Sequence, residues 1–214
     1  NMTLIQWVCL GVYVLVLAIS IKNISLIGLS KDKHQQHLVF GTAATLFVLW
    51  MFRAGIFDGL NVHILGLSAV TLMLGFRYAV ITATLTLVGA TAAGYGSWQS
   101  IGVNGVFGVL LPIGITYLVL MLTFHHIARH LFVYIFLCAF LPGALSTALK
   151  ILTLSGYYYA DNLYSWDTIY NNYLLLTPLL VFPEALINGM AITILVIYQP
   201  KWVYTFQDKF YLDK

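Results

Sequence analysis

The chain predicts an all-α integral membrane protein, a bundle of about seven transmembrane helices, and three observations carry that prediction. Of its 214 residues, 61% are hydrophobic and only 8% are charged. The charges fall into short gaps, so polarity alone divides the chain into segments of bilayer length; about 20 apolar residues cross the roughly 30 Å hydrocarbon layer as a helix. No hydrophilic stretch is long enough for a soluble catalytic or nucleotide-binding domain. Residues 1–214 therefore read as one transmembrane domain, with any chemistry inside the bundle or at its edge.

The first run, residues 4–21, has no basic segment ahead of it and no small-residue cleavage site behind it. It reads as a retained helix rather than a signal peptide. The second covers residues 38–57. The third, residues 62–76, holds only about 15 residues and is short, tilted or partly re-entrant. The fourth, residues 78–95, is rich in Thr, Ala and Gly, and its pairs Gly89/Ala93 and Ala90/Gly94 have the small-xxx-small spacing of a central packing helix. Runs 106–124, 131–149 and 173–199 complete the set.

Seven crossings with the N-terminus outside and the C-terminus cytoplasmic sort the basic residues. Lys22, Lys31, Lys33, Arg77, Arg129, Lys201, Lys209 and Lys214 fall on the cytoplasmic side, and Arg53 and Lys150 lie near the outer face. This is the positive-inside pattern of a multi-pass plasma-membrane protein, and it requires the short third run to cross. The connection over residues 156–172 is then external, with Tyr157, Tyr158, Tyr159, Tyr164 and Trp166 as an interfacial anchor, and the C-terminal tail lies along the inner surface.

Several functions are set aside. The net charge of +3 is not gathered into a basic face, so nucleic acid is not a partner. Cys9 and Cys138 lie within apolar runs and read as small buried hydrophobes. No Walker-type loop, HExxH, CxxC or GxSxG occurs, so the chain is not read as an enzyme, and any energy source belongs to another subunit.

The six histidines separate by position. His34, His37, His125, His126 and His130 fall in cytoplasmic connections. His126 and His130 have the spacing that puts two imidazoles on one helix face, yet HHIARH is a polar loop whose residues read as solvated. His63 alone sits where the chain re-enters from outside, in DGLNVHILGLS, with Asp58, Asn61 and Ser68 as polar neighbours. Irregular backbone at membrane depth is tolerated only when buried in protein or lining a cavity. A cavity here opens outward, with His63 as candidate metal ligand.

Glu184 is the one acidic residue well inside a predicted span, near the bilayer midplane, where such groups face a bundle interior. Pro178 and Pro183 are expected to break its helix, leaving Glu184 at a positive helix end. Local amides or Arg53 would satisfy its carboxylate, or else it serves transport. Asn104 and Asn188 could share its network.

Two segments then suggest a family. GLNVHILGLSAVTLMLGF resembles the histidine-bearing motif of the CbiM/NikM family, the substrate-binding membrane subunits of energy-coupling-factor transporters for cobalt and nickel. SIGVNGVFGVLLPIGITYLV is similar to the family's later G-x-N segment, and PEALINGMAITILVIY, more loosely, to its last helix. The resemblance implies a seven-helix bundle with an external N-terminus, His63 as the internal metal-binding histidine and Asn104 as the asparagine near the site. It implies a divalent transition metal as cargo rather than a permanently bound cofactor, with a transmembrane coupling protein and ATPase subunits as partners. Imidazole suits nickel, zinc and copper alike.

The family begins Met-His, whereas this chain reads Asn1, Met2, Thr3, with no histidine before His34. The expectation is that a square-planar site of the usual kind is not assembled. The alternative is a non-transporting membrane assembly or interaction protein that keeps the fold and has lost the metal site. A haem oxidoreductase would need paired histidines within helices, which this distribution does not offer.

Overall fold

The computed structural model describes residues 1–126 and 130–206. Four helical runs are long and apolar enough to cross a membrane: Leu4–Lys22, Trp98–His126, Leu131–Ala160 and Trp166–Tyr198. In chain order the helices are α1 (Leu4–Lys22), α2 (Leu26–Lys31), α3 (Lys33–Met51), α4 (Leu67–Leu74), α5 (Phe76–Ala92), α6 (Trp98–His126), α7 (Leu131–Ala160), α8 (Trp166–Asn172) and α9 (Thr177–Tyr198). Their outward faces carry large apolar side chains such as Leu15, Phe40, Leu118, Leu152 and Ile194, as lipid-facing helices must.

The bundle has two distinct ends. At one, Thr3 donates to Asp161 (2.6 Å), Gln6 to the Tyr157 hydroxyl (2.9 Å) and Arg53 to the Tyr95 carbonyl (2.7 Å). Thr3 also caps α1, its hydroxyl accepting from the Gln6 amide while the Gln6 side chain accepts from Thr3. At the other end, Arg77 reaches the Asn23 carbonyl and the His34 ring lies near Trp202.

Between α3 and α4 the chain leaves helical structure. Residues 52–66 form a turn and an extended return, joined by paired amides of Ala54 and Val62. Gly66, in the left-handed conformation at φ 68°, turns the chain into α4, whose eight residues are all buried. Such backbone survives in an apolar bundle only if its polar groups find partners. Helix α9 supplies most of them. The Glu184 carboxylate accepts from the amides of Leu65 and Gly66, both at 2.8 Å, and Asn188 accepts from Ala69 (2.8 Å). Trp50 of α3 donates its indole N–H to the Leu65 carbonyl at 2.9 Å. The far end of α4 is closed by Tyr204 and Thr205, whose amides donate to Met73 and Leu72.

Several expected boundaries move. The predicted run over 38–57 is helix only from Lys33 to Met51, because the extended return begins at Phe52. The short third run is an extended lead-in followed by α4. The run expected to stop at residue 149 continues to Ala160, since nothing in ILTLSGYYY breaks a helix, so Lys150 lies within α7 rather than at its outer margin. Pro183 does not break α9; the helix starts at Thr177, with Pro178 in its first turn, and runs through Pro183. Helix α5 ends at Ala92, so only Gly89 and Ala90 of the small-residue pairs lie within it. His130 caps the start of α7, its Nδ1 accepting from the Phe132 amide; Arg129, Lys209 and Lys214 lie outside the described residues.

Candidate functional site

At the end marked by Thr3 and Asp161 the helices part around a cavity of about 750 Å³. Its floor includes His63 and Lys150, its walls Asn61, Asn104 and Gly108, and its rim Arg53, Asp58 and a group of tyrosines. Elements far apart in sequence build it, and the return from Phe52 to Gly66 forms one side. Two tyrosines hold that side. Tyr158 donates to the Gly59 carbonyl (2.8 Å) and Tyr164 to the Asp58 carbonyl (2.6 Å). Burial and the nearby Asp58 charge push the Tyr164 phenol upward, so it stays a protonated donor.

His63 is half-buried, with its ring edge-on to Trp50 at 5.4 Å between centroids. Its Nδ1 is buried without a hydrogen-bond partner among the described residues, and so is the Thr147 hydroxyl across a narrow crevice from it. Buried polar atoms are ordinarily paired, and of these two orphans the His63 nitrogen belongs to a residue that lines the main cavity, whereas Thr147 lines only the narrow crevice beside it.

Arg53 is half committed. Its Nε donates to the Trp50 carbonyl and one Nη to the Tyr95 carbonyl, both at 2.7 Å, and the guanidinium lies over the Tyr95 ring. Asn61 makes a long contact with the same Nη at 3.5 Å.

Of the residues singled out in the sequence, His63, Asn61, Asp58, Asn104 and Arg53 line the cavity. Ser68 does not; it is buried below, its hydroxyl 2.7 Å from that of Thr116. Glu184 is also set back, behind Leu65 and Gly66, where it does meet a positive helix end, that of α4 rather than its own. Asn188 is bonded to Glu184 as expected, whereas Asn104 faces the cavity instead of sharing that network.

Sequence reasoning missed Lys150 and the contribution of Gln6. Lys150 is only 8% exposed, and no hydrogen bond or ion pair joins its ammonium to another described residue. A lysine followed by ten further residues of uninterrupted helix propensity, ILTLSGYYYA, was the available signal. Among the described residues, no group of three or more His, Cys, Asp or Glu side chains is placed to hold a metal ion.

The glycines of SIGVNGVFG let this wall close up. A Cβ on Gly102 would lie 2.5 Å from the Leu10 backbone, so only glycine lets α6 press directly on α1. The following stretch, Val106–Leu110, is wound as a wider π-helix, an irregularity common at binding sites.

The described architecture has close counterparts among solved structures. The crystal structure of a truncated transition metal transporter superposes with a TM-score of 0.75 at 19% identity, over 90% of this chain and 94% of that one. The structure of a transition metal transporter gives 0.74, again at 19% identity, over 89% and 87%. They share the fold. No curated protein matches the sequence. Residues 2–202 match the family described as "Cobalt uptake substrate-specific transmembrane region". With a multi-pass apolar bundle around one polar cavity, the chain belongs to the CbiM family, whose members are membrane transport proteins and not enzymes.

Proposed function

We propose that this protein is the substrate-capture subunit of an energy-coupling-factor-type uptake system for a divalent transition metal ion or a complex of one. The observation that carries the reading is the polar cavity with His63 at its floor, open at the end of the bundle away from most basic side chains. Lys22, Lys31, Lys33, Arg77 and Lys201 belong to the opposite end, which the positive-inside rule assigns to the cytoplasm. The chain then forms a single domain of seven crossings, counting the extended lead-in with α4 as one, with its N-terminus outside. The partners are a transmembrane coupling protein and ATPase subunits, since the chain has no nucleotide-binding motif of its own.

The test is calorimetry with Co²⁺ and Ni²⁺, as free ions and as complexes, on purified protein and on His63→Ala, together with co-purification from native membranes. Binding weakened by His63→Ala, with recovery of an ATPase, is the expected result. Negligible binding by both proteins would remove the cargo assignment. The absence of a three-ligand cluster among the described residues favours a second reading, a non-transporting assembly protein that keeps the fold. Recovery of a membrane enzyme instead of an ATPase would support it.

A further inference from the structure

The charges around the cavity do not suit a bare cation. Its buried part presents Lys150, 8% exposed, and the half-buried Arg53. Among the described residues, the only carboxylate in its lining is that of Asp58, an exposed residue of the rim. Glu184 is separated from the cavity by the Leu65–Gly66 backbone, and its oxygens are occupied there and by Asn188. A divalent ion at His63 would face two basic side chains and one imidazole, with no carboxylate among the buried described residues of the lining.

Lys150 carries the argument. An ammonium removed from water is costly unless paired or hydrogen-bonded. This one has no partner among the described residues, and it extends across the cavity toward α6, its Cε 3.6 Å from where a Cβ on Gly108 would stand. Glycine at position 108 leaves room for the chain. The unpartnered Nδ1 of His63 and hydroxyl of Thr147 adjoin it in the same crevice. The second Nη of Arg53 also has no hydrogen bond to a described residue, so that guanidinium retains donor capacity at the rim. Basic side chains at floor and rim, the orphaned imidazole nitrogen of His63 at the floor, and tyrosine rings around a volume of about 750 Å³ describe a receptor for something larger than a single inorganic anion.

We propose that the cavity binds a small polycarboxylate anion, with Lys150 and Arg53 taking its carboxylates, and that a metal cargo enters as such an anion's chelate. This deepens the capture reading and rests on it. A lone imidazole cannot hold a metal by itself, but it can fill one open position on a metal whose other ligands come from the chelate. The chelate also cancels the ion's charge, which removes the conflict with Lys150.

The test uses the full chain in detergent and calorimetry with three probes: citrate, the Co²⁺–citrate complex, and CoCl₂ in buffer free of chelating anions. The complex should bind the native protein, and Lys150→Met should weaken it about 10- to 100-fold, the loss expected for one charge-assisted hydrogen bond, with Lys150→Arg recovering part of it. Citrate binding as strongly as its complex, with the same dependence on Lys150, would support the anion site and identify the free anion as its ligand. Citrate should also protect Lys150 of the native protein from amine acylation, a readout that needs no variant to fold. CoCl₂ alone binding more tightly than the complex, and unaffected or strengthened by Lys150→Met, would overturn the proposal and leave the capture reading intact. Failure of both citrate and its complex to bind folded protein would overturn it as well, and co-purification of ATPase subunits would then judge the capture reading separately.

Discussion

Glu184 and Lys150 are charged residues buried on helices that pack against each other, and their surroundings are opposite. Glu184 accepts three hydrogen bonds, two from the backbone of another segment and one from Asn188. The Lys150 ammonium, one helix away, has no hydrogen bond or ion pair among the described residues. The difference separates two uses of costly buried charge. A saturated group holds architecture, whereas an unsaturated one at a cavity floor is kept for something that comes and goes.

Four measurements would sharpen or break this contrast. The largest effect belongs to Glu184→Leu, which strands three donors at about 1–3 kcal/mol each and should abolish a folded, monodisperse species in detergent. A variant that remains as heat-stable as the native protein would show the carboxylate to be incidental. Asn188→Leu removes the acceptor for the Ala69 amide and a donor to Glu184, so thermal unfolding should register a loss of about 2–4 kcal/mol. Lys150→Met should act in the other direction, leaving stability unchanged or raising it by about 1–3 kcal/mol, because it removes an uncompensated buried charge. A clear loss of stability in that variant would mean that the lysine is structural after all. The smallest effect is expected for Thr205→Val, which loses its hydroxyl's 2.6 Å bonds to the Leu72 carbonyl and the Tyr134 hydroxyl, together worth about 1–2 kcal/mol in the same unfolding assay.

The contrast also explains what could be read without coordinates. The apolar runs, the odd third segment and His63 stand out in the sequence because composition alone makes them exceptional for a membrane helix. The cavity was legible on the side built from one continuous stretch, residues 53–63, whose polar side chains Arg53, Asp58, Asn61 and His63 all reach it. The opposite wall was not. Tyr157 and Tyr158 read as interfacial aromatics until the continuation of α7 to Ala160 turns them toward Gln6 and Gly59. Ser68 was misplaced for a related reason, since one further turn of chain past Gly66 carries it from the extended return into α4, away from the opening. Sequence adjacency locates a residue along the chain, but only packing decides which surface it meets.

The attachment of α4 has a mechanical corollary. Its leading end is bonded to Glu184 and Asn188 of α9, and its trailing end to Tyr204 and Thr205, which follow α9 after the short turn over Pro200–Trp202. Fastened at one extremity to α9 and at the other to the segment that follows it, α4 is coupled to both. A push delivered to the segment that follows α9 would therefore be felt some 12 Å away, at the leading end of α4 beside the extended return that carries His63, given a rise of about 1.5 Å for each of its eight residues.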